Sequence, residues 1–163
     1  GLRIGEVCAL KWSDVDIERK ILTVRQTVAR VKANSNDNCK SKLILDAPKT
    51  KNSLREIPIN SFLLPLLVKK KSESVSDFVI SEQKTFVSPR TFEYRYHKTL
   101  ERFDIEQVNY HSLRHTFATR CIERGVDCKS LSEILGHANV NITLNTYVHS
   151  SMELKRIQIE KLI

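Results

Sequence analysis

Long apolar runs are missing from this sequence. The longest, such as Phe62 to Val68, fall far short of the ~20 residues a membrane-spanning helix needs, and the first residues carry no signal-peptide pattern. The expectation is a chain that does not enter a membrane and works in the cytoplasm. The four cysteines, Cys8, Cys39, Cys121 and Cys128, include no C-x-x-C pair and no framework of the kind that staples small secreted domains, so reduced thiols are expected. Cys121 and Cys128 have no histidine at zinc-finger spacing behind them, and neither a metal nor a cofactor is expected. The glycine-rich phosphate loop G-x-x-x-x-G-K-[ST] is absent as well, which removes the usual signature of nucleotide hydrolysis. No internal repeat, low-complexity tract or linker divides the 163 residues, a length suited to one domain with its own core.

Acidic residues are the minority charge. Asp and Glu total 19 against 27 Lys and Arg, a formal charge of +8, and this balance favours an acidic partner, with nucleic acid the natural candidate. Charge alone does not decide the question, since a merely soluble basic protein stays open as the less favoured reading.

The patterning changes along the chain. Ile4, Val7, Cys8 and Leu10 recur at roughly helical spacing, with Leu10 and Trp12 expected in the core. Three short β-branched runs follow, Ile21 to Val24, Lys42 to Leu45 and Arg55 to Ile59, and they predict a small antiparallel sheet. The polar segment Ala33 to Ser41 reads as a long exposed hairpin loop, and Pro58 marks an edge or strand end because proline cannot donate a ladder hydrogen bond. From Ser61 onward the pattern is helical. Ser88-Pro89 is a start signal for a helix to about Phe103. Another helix is predicted from about Ser112 to Arg124, with Leu113, Phe117 and Cys121 on one face and Gly125 as its terminator. The next begins near Asp127 or Ser130 and stops at Gly136. Met152, Leu154, Ile157, Ile159 and Leu162 mark a last amphipathic helix, equally suited to packing within the chain or against another subunit. The fold class expected is α+β, mainly helical, with the small antiparallel β-sheet near the N-terminus.

The chemistry concentrates late in the chain. His111 and Arg114 stand three apart and so project from one helical face, placing a proton-transfer group beside a permanent cation. Leu135-Gly136-His137 follows, and Tyr147 comes ten residues after His137. An isolated H-x-x-R pair is weak, since a helix-capping histidine and a surface arginine would look the same. Here it belongs to an ordered set: Gly1-Leu2-Arg3-Ile4-Gly5-Glu6, then Pro48-Lys49-Thr50-Lys51 running to Pro58, then His111-Ser112-Leu113-Arg114-His115-Thr116, Leu135-Gly136-His137 and Asn145-Thr146-Tyr147. In that order the segments resemble the tyrosine recombinases of the phage integrase type, over essentially the whole chain.

The resemblance implies the tyrosine-recombinase catalytic-domain fold and a role for each matching residue. Arg3 and Arg114 would clamp the scissile phosphate, for which planar guanidinium forks suit better than ammonium groups. Tyr147 would be the nucleophile, His111 its proton acceptor, and His137 a hydrogen-bond donor to a non-bridging phosphate oxygen. Lys49 matches the hairpin lysine that protonates the departing 5′ oxygen, with Lys51 as its rival. Glu6 matches an acidic position that buttresses an arginine or histidine, His115 is expected to support the site through a hydrogen bond, and Arg55 is either structural or a phosphate contact. The reaction implied is a transesterification through a 3′-phosphotyrosyl link, a scheme that calls for neither ATP nor a metal. The partners implied are double-stranded DNA, three further copies of the protein in a tetramer on two duplexes, and accessory DNA-bending proteins. A mobile-element integrase is favoured over a chromosome-dimer resolvase. Residues 1–163 are expected to be the catalytic domain without its first helix and without the N-terminal DNA-clamping domain, and so to bind DNA weakly and recombine nothing alone. The alternatives are a catalytically inactive DNA-binding module, a type IB topoisomerase with the same tyrosyl chemistry, and a nonspecific nuclease.

Overall fold

The computed structural model describes residues 1–33, 40–47 and 53–147, together with Arg156, Ile159 and Glu160. Among these residues six α-helices and five strands are formed, in the order α1 (Ile4–Ala9), β1 (Val15–Asp16), β2 (Ile21–Val24), β3 (Thr27–Lys32), β4 (Ser41–Asp46), β5 (Arg55–Pro58), α2 (Leu63–Glu73), α3 (Pro89–Arg102), α4 (Tyr110–Glu123), α5 (Cys128–Leu135) and α6 (Val140–Tyr147). None of the described helices is long and apolar enough to cross a membrane.

The N-terminal part packs a short helix onto strands. Arg3 caps α1, and the Glu6 carboxylate reaches back to accept the Arg3 backbone N–H at 2.8 Å, which satisfies one of the helix's orphan donors. Gly5 is required by closeness: a Cβ there would lie 2.8 Å from the Val28 carbonyl oxygen, so α1 rests directly on the β3 backbone. Behind this contact Cys8, Ala9 and Val28 form one buried cluster. The Cys8 thiol is fully buried, and that burial pushes its pKa up to about 12, so it stays protonated and inert.

The expected single sheet is in fact two. β1, β2 and β5 make a three-stranded antiparallel sheet with Leu22 opposite Ile57 and Val24 opposite Arg55, while β3 and β4 form a separate two-stranded ladder running from Thr27 opposite Asp46 to Lys32 opposite Ser41. Lys42 to Leu45 therefore pairs with Thr27–Lys32, a strand outside the sequence expectation whose Arg30 and Lys32 are exposed cations. Ala33 N–H donates to the Lys40 carbonyl at 3.3 Å and closes that hairpin, while residues 34–39, Cys39 among them, lie outside the described residues. Pro58 sits on β5 at the sheet's edge, as its missing donor demands. Leu10, Val15, Leu22, Val24, Ile59, Leu67 and Val79 make the core of this half, with Trp12 packed against it and its indole N–H donating to Ser74 Oγ at 2.9 Å.

The helices begin where polar caps stand. Ser88 Oγ accepts from Thr91 N at 3.0 Å at the start of α3, Asn109 Oδ1 from Ser112 N at 3.0 Å before α4, and Asp127 Oδ1 from Ser130 N at 2.9 Å before α5. Each cap contributes about 1 kcal/mol. α4 and α5 meet through Ala118, Leu131 and Leu135, all fully buried, with Phe117, Cys121 and the Tyr147 ring packed around them; each buried leucine adds roughly 1.5–3 kcal/mol. The buried stripe of α4 departs from expectation: Leu113 is exposed, and Arg114 and Ala118 face inward. Gly125 does turn left-handed after α4, and Gly136 does so after α5. Of the last amphipathic helix, Arg156, Ile159 and Glu160 are helical and exposed, and the rest lies outside the described residues.

Candidate active site

The end of α5 organises the site. An α-helix leaves its last carbonyls without intrahelical partners and gathers partial negative charge there. Gly136, at φ 67 and ψ 46, turns the chain sharply so that its own N–H donates to Glu133 O and the His137 N–H to Ser132 O. The next three carbonyls are answered by arginines from three different parts of the chain. Arg55 Nε donates to Ile134 O at 2.7 Å, Arg114 Nη2 to Leu135 O at 2.8 Å, and Arg3 Nη2 to Gly136 O at 3.2 Å.

One carboxylate holds two of these cations. Glu6 is buried and accepts from Arg55 Nη1 at 3.0 Å and Nη2 at 2.9 Å, and from Arg3 Nη1 at 2.9 Å. Burial pushes the Glu6 carboxyl up, but the hydrogen bonds and charge of Arg55, then those of Arg3, more than offset it and hold it below the usual carboxylate range. Arg114 is 3 % exposed and bonds a second carbonyl, Gly1 O, at 2.7 Å. Burial, then the charge of Arg3, lowers it to about 10, which still leaves it cationic at neutral pH. Three guanidiniums thus gather at the end of α5, two of them on the one carboxylate and Arg114 on backbone carbonyls alone, a net positive site built into the fold.

Two histidines and a tyrosine complete it. His137 lies just past the Gly136 turn, and its Nδ1 is 2.8 Å from Thr143 Oγ1 on α6. Burial, then Arg114, Arg3 and Arg55, lower its pKa to about 4, so the imidazole is neutral at pH 7 and keeps one donor and one acceptor nitrogen. His111 and His115 are one helical turn apart on α4, their rings 4.7 Å apart edge to face. Tyr147 ends α6, its ring against the α4–α5 core and its hydroxyl 2.9 Å from His115 Nδ1. Arg3, His111, Arg114, His115, His137 and Tyr147 all line one open cleft of about 440 Å³.

Most of the residues singled out from the sequence therefore meet in one place. Lys49 and its rival Lys51 lie outside the described residues. Arg55, left open between structure and phosphate contact, is 8 % exposed and fully engaged with Glu6, Ser53 O and Ile134 O, a structural placement. Thr143 was not anticipated, and nothing in its sequence surroundings signals it; only the return of α6 beside His137 brings the two together. Among the described residues no group of histidine, cysteine and carboxylate side chains is arranged to hold a metal ion.

The architecture is that of a tyrosine-recombinase catalytic domain: the chain superposes on the Tn1549 transposon integrase, solved in complex with a circular intermediate DNA, with a TM-score of 0.80 at 23% identity over 99% of this chain and 54% of that one. The sequence profile of the phage integrase family matches residues 1–153, and the chain belongs to that family. Among curated relatives it is 36% identical to a XerC-like tyrosine recombinase of Caldanaerobacter subterraneus subsp. tengcongensis, over 99% of this chain and 46% of the relative. It is 29% identical to the transposase of transposon Tn916 from Enterococcus faecalis, over 99% of this chain and 44% of the relative. The chain thus spans about half the length of the curated relatives it matches.

Proposed function

We propose that these 163 residues are the catalytic domain of a site-specific DNA recombinase, the integrase of a mobile element, acting through Tyr147. The observation that carries this reading is the opening of the Tyr147 hydroxyl and of Arg3, Arg114 and His137 onto one cleft. A phosphodiester entering that cleft meets fixed cations in orientations set by α5, and such preorganised charge stabilises the crowded, anionic phosphorus centre of an in-line attack. As the Tyr147 oxygen bonds to phosphorus, the bond from phosphorus to the 5′ oxygen breaks, leaving a 3′-phosphotyrosyl link and a 5′-hydroxyl. Lys49, or Lys51 in its stead, supplies the proton for the departing 5′ oxygen. Neutral His137 hydrogen-bonds a non-bridging oxygen, its orientation set by Thr143. The 5′ end of a partner strand then reverses the step, so the phosphate bond energy is kept.

Likeness to the Tn916 transposase and the Tn1549 integrase supports the mobile-element reading over a chromosome-dimer resolvase. Double-stranded DNA is the substrate, favoured by the +8 charge. The working form is a tetramer on two duplexes, helped by accessory DNA-bending proteins, and it acts in the cytoplasm where the DNA is.

The test is covalent trapping. Full-length protein and its Tyr147→Phe variant are incubated with a nicked duplex of the element end, with a chelator present, and run on a denaturing gel. A DNA-linked band that needs Tyr147 is expected. Bound DNA without any adduct would mean a binding module, and an adduct surviving the substitution would mean that the nucleophile is another residue.

A further inference from the structure

The side chain in contact with the Tyr147 hydroxyl is His115. Its Nδ1 lies 2.9 Å from the phenolic oxygen, and the two rings are 5.6 Å apart at 51°. His111, the expected proton acceptor, lines the same cleft, but among the described residues no hydrogen bond joins it to Tyr147; its ring packs instead against the His115 ring.

We propose that His115, and not His111, takes the Tyr147 proton as the phenol attacks, and returns it when the phosphotyrosyl link is broken. This rests on the recombinase reading above. In the forward step the Tyr147 oxygen bonds to phosphorus and its proton passes to His115 Nδ1, giving an imidazolium. The bond from phosphorus to the 5′ oxygen breaks, and that oxygen takes its proton from the separate lysine donor. In the reverse step a 5′-hydroxyl attacks phosphorus and gives its proton to the now neutral lysine, and the imidazolium protonates the departing phenolate.

Three observations support the assignment. Proton transfer needs a heavy-atom approach of about 2.6–3.2 Å, and the Tyr147–His115 distance lies within it. The Tyr147 ring is seated against Ala118, Leu131 and Leu135, so its hydroxyl pivots about a packed core, close to the helix that carries His115. Burial, then His115, Arg114 and Arg3, push the His111 pKa below the usual histidine value, which disfavours a like charge beside an imidazolium forming on His115. His115 is itself exposed, which lets water exchange the proton afterwards.

The test uses single-turnover cleavage of the nicked duplex by full-length protein, with His115→Ala and His115→Asn beside wild type. Asparagine keeps an amide near the position of Nδ1, able to hydrogen-bond the hydroxyl but unable to take its proton. Each variant is measured on the ordinary phosphodiester and on one whose bridging 5′ oxygen is sulfur, a leaving group that departs without a proton donor. Both variants are expected to cleave about 10²-fold slower or worse, to bind DNA as wild type does, and to gain nothing from sulfur. Cleavage by His115→Asn within about threefold of wild type would reduce His115 to a hydrogen-bonding role and overturn the proposal, since general acid–base transfer is worth far more. Recovery on the sulfur substrate would overturn it too, by placing His115 at the leaving oxygen. Those two results leave the recombinase reading intact, whereas a wild type that forms no Tyr147-dependent adduct overturns both.

Discussion

Replacing Glu6 by glutamine keeps the side-chain volume and removes the charge that two arginines share. Glu6 accepts four hydrogen bonds, from Arg3 N at 2.8 Å, Arg3 Nη1 at 2.9 Å, Arg55 Nη1 at 3.0 Å and Arg55 Nη2 at 2.9 Å. Glutamine offers one oxygen where glutamate has two, and its amide nitrogen turns donors toward donors. The Arg3 side chain is 40% exposed and can turn to water, so its share of the loss is small. The Arg55 side chain, 6% exposed, has no such recourse. Losing charge-assisted bonds of about 1.5–3 kcal/mol each from the buried half of the cluster gives a destabilisation of about 3 kcal/mol, within the range for breaking a buried pair. For a chain of this size the Tm would fall by roughly 6–12 °C. Urea unfolding followed by circular dichroism measures the loss, provided the slope against denaturant is unchanged. Acid supplies a second check. Because the folded-state carboxyl is held below its ordinary value, its contribution is complete above the unfolded pKa of ~4.3 and fades as pH falls through the lower folded value. The gap between wild type and Glu6→Gln should narrow over that interval. A loss below about 1 kcal/mol, the size of a solvent-exposed pair, or a gap indifferent to pH, would refute the buried-clamp account.

The Gly136→Ala variant places a Cβ 2.9 Å from Arg55 Nη1 on a backbone at φ 67; the left-handed conformation alone costs roughly 1–2 kcal/mol, so urea unfolding should show at least that loss, together with slowed adduct formation. For His137, an NMR titration of the DNA-free protein should find the ring neutral down to about pH 4. The sign follows from linkage: the unfolded chain takes up this proton near pH ~6.5 while the folded one resists it, so stability drops as pH falls from ~6.5 toward the folded value. A titration midpoint near that of a free histidine would show that neither burial nor the three arginines act on it as the structure requires.

Features set by short-range chemistry were legible in the sequence. Ser88-Pro89 starts a helix because a serine oxygen caps it and proline needs no donor there, and Gly136 ends one because the turn demands a left-handed residue. His111 and Arg114 share a cleft because three-residue spacing places them on one face. Features set by distant partners were not legible. Glu6 and Arg55 are 49 residues apart, His115 and Tyr147 are 32 apart, and no periodicity records either meeting. The division of the strands into two sheets escaped for the same reason, since each candidate strand could have paired with any other. Arg114 shows the limit from another side: hydropathy assigns an arginine to solvent, yet here two carbonyls, Gly1 O and Leu135 O, hold it inside.

The three arginines anchored at the end of α5 are not independent parts. Like charges brought this near repel one another, and the repulsion is met during folding by the carbonyls of a single helical turn and by Glu6. The cationic geometry is therefore set by the fold itself. It also has a shared dependence: a change at Gly136 disturbs one carbonyl partner of each arginine at once, while Glu6, Ser53 O and Gly1 O still hold them from the other side.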